Sequence, residues 1–318
     1  IRDSKDVLRS YAVAKANRPL QGRPWRLLGT ALGWAGISAL LLGILATFLY
    51  VYRPKIYRQD SLLLMLGVLI TVPVVAASVL AMHPNLSPYL IPVTFTSILV
   101  TLLVDAEVGI ISTVVVALLV GIMHGHGLSL SLVSIVCGAV AAFSVRKVRR
   151  RSQFYRSLLH VPLAYAASIF ILSLLGSAPW GEIVREMGYG VANGFLAPIV
   201  SIGLLPIFES LFNVTTDISL LELSDLNRPI LKKLALKAPG TFHHSIVVGN
   251  LAEAAAEAVG ANSLLARVGA YYHDIGKMEK PSYFVENQRG ESRHDKLTPR
   301  MSSLVSVSYT HLTLPTKA

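Results

Sequence analysis

Long apolar runs alternate with short polar segments along most of the chain. An α-helix needs about 20 apolar residues to cross a bilayer, with a tolerated range of roughly 17–25. Seven segments approach that length, and we predict a membrane-spanning helix in each: 28–52, 61–82, 86–104, 107–123, 128–145, 157–176 and 190–212. Only Asp105 and Ala106 separate the third segment from the fourth, which begins at Glu107, so that boundary is the least sharply defined. We therefore expect an all-α fold with a seven-helix membrane domain over 27–212.

The composition agrees with a membrane domain between polar ends. Of the 318 residues, 53% are hydrophobic and only 15% are charged, whereas a soluble globular chain carries roughly 25% charged residues. The net charge of +11 could indicate nucleic-acid binding. However, no nucleic-acid-binding motif accompanies it, and much of the excess lies beside apolar segments, where Lys and Arg face lipid headgroups. We expect membrane lipid, and no nucleic-acid polymer, as a partner.

The distribution of Lys and Arg predicts the orientation. Basic clusters follow the first and fifth segments: Arg53, Lys55 and Arg58, then Arg146, Lys147, Arg149, Arg150, Arg151 and Arg156. Since short basic loops stay in the cytoplasm, we expect the N-terminus outside and the C-terminal region inside. Residues 2–26 hold seven Lys or Arg on the outer side, a conflict that a large extracellular domain before them would remove. We therefore interpret 1–26 as the end of a truncated extracellular domain.

Residues 213–238 form a juxtamembrane connector. Leucine and isoleucine recur there at helix-like spacing, and Pro229 interrupts the pattern: Leu220, Leu223, Leu226, Ile230 and Leu234. The pattern fits a simple amphipathic linker, and it also fits a signalling helix that couples the membrane domain to the C-terminal region.

Two helices predicted after the connector bring three polar side chains together. Pro239 and Gly240 break the chain, and Thr241 offers a helix N-cap. We predict one helix over 242–259, a turn at Gly260 and Asn262, and a second helix over 263–273. An antiparallel hairpin of this kind would place His273 and Asp274 beside His244.

The residue types in this hairpin suit a divalent metal ion. Neutral imidazoles bind Mn, Fe or Zn, and a carboxylate can bridge two ions. Two adjacent ions activate water and stabilise both the attacking and the leaving oxygen of a phosphodiester. Lys277, one turn beyond Asp274, could hold a phosphate as a point charge. On spacing alone, a purely structural role for the His-Asp pair stays open.

Other polar residues offer weaker candidates. His243 points away from its neighbour on a helix, so we interpret it as an outer-shell or surface residue. His124 and His126 lie in a short loop on the outer side, and Asp105 and Glu107 lie near a membrane face, where a proton relay is the less favoured interpretation. The single cysteine, in an apolar run, excludes a disulfide framework and a cysteine-based metal site.

Residues 238–288 also carry a family resemblance. The segments APGTFHHS, ANSLLARVGAYYHDIGK and KPSYFVENQ closely resemble the seven-transmembrane HD family of bacterial cyclic-di-AMP phosphodiesterases. HDIGK alone is shared with cyclic-di-GMP enzymes of the HD-GYP type, but MEKPSYFVENQ comes after it here without a GYP motif. The resemblance covers nearly all of residues 1–305. It implies an extracellular domain, seven spans and an all-helical cytoplasmic HD domain, anchored in the bacterial plasma membrane.

The resemblance also implies a chemistry and a set of site residues. The expected reaction is hydrolysis of cyclic-di-AMP to the linear dinucleotide pApA at a two-metal centre, with manganese or iron as the ions. His244, His273 and Asp274 match metal ligands, with Asp274 as the bridging one. Lys277 matches a phosphate-facing lysine, and both Asp274 and Lys277 match catalytic residues.

The resemblance stops near the end of the chain. We expect 239–307 to be the N-terminal part of the HD domain, and 308–318, SYTHLTLPTKA, to be a non-native read-through tail, so His311 is not an expected ligand. Further ligands of the family would lie in the missing part. We therefore expect the polypeptide as written to be inactive, with a poorly folded HD domain.

Three other functions compete with this one. A non-catalytic cyclic-dinucleotide sensor need not keep His244, His273, Asp274 and Lys277 together. A transporter or channel usually places ionisable groups in the middle of the membrane, and these spans contain few. The third is the same hydrolysis acting on cyclic-di-GMP, because the residues alone do not distinguish the two cyclic dinucleotides. We also expect an extracellular ligand, whose chemical class the sequence does not indicate. A homo-oligomeric state is left open.

Overall fold

The computed structural model describes residues 24–83, 85–125, 127–146, 155–288 and 293–310. Regular structure within these ranges is helical, as predicted. The α-helices are α1 (Pro24–Tyr52), α2 (Pro54–Tyr57), α3 (Asp60–Ala81), α4 (Val93–Leu103), α5 (Ala106–Met123), α6 (Gly127–Val145), α7 (Tyr155–Leu175), α8 (Trp180–Phe212), α9 (Asp217–Leu223), α10 (Pro229–Lys237), α11 (Pro239–Ala258), α12 (Ser263–Tyr272) and α13 (Pro299–Thr310). Short 3-10 helices lie at Pro88–Leu90, Ile275–Glu279, Pro281–Tyr283, Val285–Asn287 and Arg293–Lys296. Most of 1–26, His126, 147–151 and His311 lie outside the described residues.

Six of the described helices are long and apolar enough to cross a membrane: α1, α3, α5, α6, α7 and α8. The third predicted segment, 86–104, is different, because a 3-10 turn at Pro88–Leu90 is followed by the 11-residue α4. Pro92 stands between them and lacks the amide hydrogen that would continue a helix. The prediction of one continuous helix over this segment was therefore wrong.

The short helix α4 lies at the centre of the membrane domain, and nearly all of its residues are buried. Two of its hydroxyl groups donate hydrogen bonds to neighbouring helices. Thr96 Oγ1 donates to the Leu69 carbonyl oxygen of α3 at 2.7 Å, and Ser97 Oγ donates to the Gly138 carbonyl oxygen of α6 at 2.6 Å. These bonds fix α4 between its neighbours, since hydroxyl groups have no water partner in a membrane interior.

The break before α4 is stabilised by Asn193 of α8, which is 3% exposed. Its Nδ2 donates to the carbonyl oxygens of Tyr89 at 2.8 Å and Ile91 at 3.0 Å, and it lies 3.1 Å from the Tyr165 hydroxyl oxygen. A proline break frees backbone carbonyls, and an unsatisfied carbonyl inside a membrane is costly. One side chain therefore satisfies two carbonyls of the irregular segment.

The last membrane helix is longer than predicted. α8 has 33 residues and begins at Trp180, whereas we predicted a span over 190–212. The added turns contain charged residues, so their composition resembles that of a loop. They nevertheless pack against the domain, because Glu186 accepts a hydrogen bond from the Ser87 hydroxyl.

The ends of α1, α4 and α6 and the segment after α8 meet on one face of the membrane domain. They line a cavity of about 380 Å³ that includes Leu103, Val145 and Thr216. In the lining of this cavity, Arg53 donates to Asp105 at 2.9 Å and to Glu107 at 2.6 Å. The two acids thus lie at a membrane face, paired with a cation. Asn262 of the hairpin also lines the cavity, so the hairpin lies on this same face.

The connector consists of two short helices, α9 and α10, with Pro229 as the first residue of α10. At the start of α9, the Glu209 carboxylate of α8 accepts hydrogen bonds from the Thr216 backbone N–H at 3.0 Å and from the Ser219 hydroxyl at 2.7 Å. At its end, the Leu223 carbonyl oxygen accepts a hydrogen bond from the Tyr272 hydroxyl at 2.9 Å. The connector is therefore bonded to the membrane domain on one side and to the hairpin on the other.

The hairpin itself consists of α11 and α12, packed antiparallel. Glu253 of α11 forms an ion pair with Arg267 of α12. Asn262 caps α12, since its Oδ1 accepts the Leu265 backbone N–H at 2.9 Å. The apolar cluster beneath the hairpin joins it to α10: Leu231, Leu234, Ala238, Tyr271 and Met278.

The start of α11 corrects one prediction. The helix begins at Pro239, so Thr241 lies inside its first turn and is not the N-cap. Proline fits the first helical position, because a backbone N–H group at that position would have no hydrogen-bond partner within the helix. The Thr241 backbone N–H instead donates to the Asn287 side-chain oxygen at 3.1 Å. A residue distant in sequence thus does the capping that we assigned to Thr241.

Candidate metal centre

The hairpin brings the predicted site residues to one end. His244 lies in the second turn of α11, and His273 directly follows the last residue of α12. Asp274 comes next, before the 3-10 helix Ile275–Glu279 that carries Lys277. Since α11 and α12 run antiparallel, the early turns of one face the last turn of the other.

The side chains converge on one oxygen of Asp274. His273 Nε2 lies 3.2 Å and His244 Nε2 lies 4.0 Å from Asp274 Oδ2. One ligand atom of each residue lies within 4.8 Å of the others. The Asp274 side chain is 5% exposed, whereas both imidazoles are more open. The arrangement is a half-buried pocket with two nitrogens and one carboxylate aimed at a common point.

A backbone contact selects the protonation form of His273. Its Nδ1 lies 2.7 Å from the Ala270 carbonyl oxygen. A carbonyl oxygen only accepts, so Nδ1 carries the proton and donates it. The lone pair of neutral His273 is then on Nε2, the nitrogen that faces Asp274. An imidazole whose second nitrogen is bonded in this way is the usual form of a metal ligand.

Lys277 contacts two carboxylates. Its Nζ lies 2.8 Å from Asp274 Oδ2 and 2.8 Å from Glu286 Oε1. Burial lowers the pKa of Lys277, but its hydrogen bonds to the two carboxylates outweigh this effect and hold the pKa above its ordinary value. Burial likewise raises the pKa of Glu286, but the hydrogen bonds that it accepts, first among them the one from Lys277, together with the positive charge of Lys277 outweigh this effect, so this pKa lies below its ordinary value. The ammonium group and the Glu286 carboxylate are therefore both charged.

The role of Glu286 and Asn287 was missed from the sequence. Glu286 Oε1 accepts a hydrogen bond from the Thr241 hydroxyl at 3.0 Å, and Asn287 Nδ2 donates to the same hydroxyl oxygen at 2.7 Å. A Cβ atom on Gly240 would overlap the Glu286 carbonyl oxygen, so only glycine allows this approach. The loop has no periodicity that would predict these contacts, although it lies within the KPSYFVENQ segment.

The other candidate histidines lie apart from the cluster. His243 is exposed on α11, on a different face from His244. His124 follows the last residue of α5, at the opposite end of that helix from the cavity that Asn262 lines. His294, which also precedes an aspartate, has both ring nitrogens engaged: Nε2 with the Tyr283 carbonyl oxygen at 2.8 Å and Nδ1 with the Ser302 hydroxyl at 2.6 Å. His294 therefore holds a loop against α13.

The donor set fits a divalent transition metal. Two imidazole nitrogens and one carboxylate oxygen suit Mn, Fe or Zn better than Mg or Ca, which prefer oxygen ligands alone. Among the described residues, this cluster brings three atoms of the kinds that bind metals close enough together to hold one ion. A site with three protein ligands keeps positions open for water or substrate, as catalytic metal sites do.

Comparisons with known proteins agree with both parts of the molecule. The family model described as "7TM receptor with intracellular HD hydrolase" matches residues 28–216, and an HD domain model matches residues 241–308. HD domains are metal-dependent phosphohydrolases. Together with the apolar helices, these matches show a multi-pass membrane protein that carries an HD domain.

Individual relatives match most of the chain. It is 36% identical over 295 residues to "Cyclic-di-AMP phosphodiesterase PgpH" of Bacillus subtilis, covering 86% of this chain and 41% of the relative. It is 33% identical over 290 residues to the protein of the same name from Listeria monocytogenes, covering 87% of this chain and 40% of the relative. The chain thus spans about two fifths of the length of these relatives. A solved structure, the L. monocytogenes PgpH HD domain in complex with cyclic-di-AMP, is 60% identical over 26% of this chain and 39% of that one, with a TM-score of 0.26.

Proposed function

Because the chain belongs to the family of seven-transmembrane receptors with an intracellular HD hydrolase, we propose that it forms part of a membrane-anchored phosphodiesterase that hydrolyses cyclic-di-AMP to pApA. The observation that carries the proposal is the convergence of His244, His273 and Lys277 on Asp274 Oδ2. Two relatives that align with most of this chain are named as cyclic-di-AMP phosphodiesterases.

We assign the metal site to His244, His273 and Asp274, and expect two manganese or iron ions. When bound, such ions supply an activated water molecule and stabilise the charge on the oxygens of the scissile phosphodiester. His244 and His273 would bind through neutral nitrogens, and the Ala270 carbonyl keeps His273 in the required form. Asp274, with two oxygens and little exposure, is the residue suited to bridge two ions.

Lys277 is the candidate to hold a substrate phosphate near the site. Its charge is secured by two carboxylates, and its side chain is 13% exposed, so it presents a fixed cation at the edge of the pocket. A fixed ammonium orients a phosphate without a large loss of side-chain entropy on binding. Asp274 and Lys277 are therefore the proposed catalytic residues, and no role in the reaction is assigned to His243.

We also propose that the HD domain lies in the cytoplasm and that the N-terminal end of the chain lies on the outer side of the membrane. The hairpin lies on the face of the membrane domain where Arg53 and Arg146 line a common cavity. Basic residues mark the cytoplasmic face. Ends of the first, third and fifth segments and the start of the connector all line that cavity, as expected for seven crossings in the plasma membrane of a bacterium.

The test is a product assay on the complete protein purified in detergent and loaded with Mn²⁺. Cyclic-di-AMP and cyclic-di-GMP are supplied separately, and products are followed by mass spectrometry. We expect pApA from cyclic-di-AMP, and a loss of about a thousandfold or more in Asp274→Asn, because the proposed bridging carboxylate is gone. The matched control is Glu257→Gln, which removes an exposed carboxylate from α11.

The outcomes separate the competing functions. Equal rates in Asp274→Asn and the wild type would contradict the assigned site. Faster turnover of cyclic-di-GMP would contradict the proposed substrate. No product from either dinucleotide, in protein shown to be folded and to bind Mn²⁺, would favour a sensor over an enzyme.

A further inference from the structure

Lys277 is held from three sides. Two carboxylate oxygens, Asp274 Oδ2 and Glu286 Oε1, lie 2.8 Å from its Nζ. The third side is covered by the Phe284 ring, whose centroid is 4.9 Å from Nζ. An ammonium group has three N–H donors. Its donors therefore face two anions and the face of an aromatic ring, which also attracts a cation.

The lysine and a metal ion would use the same atom. Asp274 Oδ2, which Lys277 contacts, is also the oxygen nearest to the Nε2 atoms of His244 and His273. Two cations that share one partly buried oxygen repel each other strongly, because the surrounding protein screens charge poorly. Binding of an ion by His244, His273 and Asp274 therefore weakens the contact between Lys277 and Asp274.

Glu286 remains an anionic partner for Lys277 when the contact between Lys277 and Asp274 weakens. A buried ammonium group without an anionic partner is costly. Glu286 offers a second carboxylate, at the same distance as the first, and it is not one of the proposed metal ligands. We propose that Glu286 is a positioning residue that raises the metal affinity of the site by keeping Lys277 paired when the metal takes Asp274. This inference rests on the proposed metal centre.

The position of Glu286 is itself fixed. Glu286 Oε1 accepts a hydrogen bond from the Thr241 hydroxyl, and the backbone carbonyl of Glu286 packs against Gly240. The neighbouring Asn287 donates a hydrogen bond to the same threonine. These contacts attach the loop to the first turn of α11, the helix that also carries His244. A carboxylate fixed in this way cannot follow a lysine that moves away, so it keeps Lys277 beside the metal pocket.

The test is a double-mutant cycle read by Mn²⁺ affinity. The complete protein is stripped of metal, and free Mn²⁺ is followed by electron paramagnetic resonance during titration. We expect Glu286→Gln to weaken the tightest Mn²⁺ binding step by about tenfold, since the lysine loses its alternative anion. Lys277→Met removes the competing cation and should bind Mn²⁺ at least as tightly as the wild type. In the Lys277→Met background, Glu286→Gln should have no effect.

Thr241→Val separates the charge of Glu286 from its anchoring. It removes the hydrogen bond between the threonine and Glu286 but keeps the charge of Glu286, so we expect a loss of Mn²⁺ affinity smaller than that of Glu286→Gln, together with a lower unfolding temperature. An equal loss of affinity from Glu286→Gln with and without Lys277 would overturn the inference, and so would unchanged affinity in the single variant. If the wild type binds no Mn²⁺, or if His244→Ala and His273→Ala bind it normally, the proposed metal centre fails instead.

Discussion

The membrane domain and the hairpin bury polar side chains in two different ways. In the membrane domain, buried polar groups such as Thr96, Ser97 and Asn193 are neutral, and each donates to a backbone carbonyl. In the hairpin, Asp274 is buried as a charged group beside a charged lysine. Neutral groups are satisfied by one or two hydrogen bonds, whereas a buried charge requires an opposite charge.

The difference indicates what each region is built to do. Hydrogen bonds between neutral groups hold helices in register without creating a site that attracts ions. The cluster at Asp274 gathers two imidazoles and an ammonium group within 4.0 Å of one oxygen of a buried carboxylate. Contacts in this cluster shift the pKa values of Lys277 and Glu286, and ionisable groups with shifted pKa values are concentrated at functional sites. The contrast therefore supports the proposal that the chemistry takes place at the hairpin rather than among the spans.

The largest expected effect comes from placing a charge where the membrane domain has a neutral amide. Asn193→Asp removes the Nδ2 donor and sets a carboxylate against the carbonyl oxygens of Tyr89 and Ile91. We expect a loss of about 3 kcal/mol in unfolding free energy, measured by unfolding in detergent. The matched control is Asn250→Asp, the same change at an exposed position of α11, with an expected change below about 0.5 kcal/mol. Equal effects at both positions would contradict the comparison.

A smaller effect is expected when a neutral hydrogen bond between spans is removed. Thr96→Val keeps the shape of the side chain and deletes its bond to the Leu69 carbonyl. We expect a loss of about 1 kcal/mol in the same unfolding measurement. Thr71→Val is the control, because Thr71 bonds to Gly67 within its own helix and is exposed, so its loss should be smaller. If Thr71→Val lost as much unfolding free energy as Thr96→Val, hydrogen bonds between spans would stabilise the domain no more than a hydrogen bond within one helix.

Periodicity and residue type predicted the helices and the hairpin, but not the contacts between distant loops. The apolar runs located six helices long enough to cross a membrane, and the spacing of Gly260 and Asn262 located the turn that brings His244 to Asp274. The break at Pro92 and the early start of α8 were missed, because apolar content alone does not show where a helix begins. The break depends on Asn193, about a hundred residues away. The contact between Glu286 and Thr241 joins residues 45 positions apart, and no local pattern encodes it.

The most direct test of the central claim is the location of bound manganese. Crystals of the complete protein grown with Mn²⁺ would be measured at the manganese absorption edge, where the anomalous signal identifies the ion. We expect an anomalous peak about 2.0–2.3 Å from the ligand atoms of His244, His273 and Asp274, within the usual range for nitrogen and oxygen ligands of a divalent metal. A peak at other residues, with none beside Asp274 Oδ2 in protein that hydrolyses cyclic-di-AMP, would contradict it.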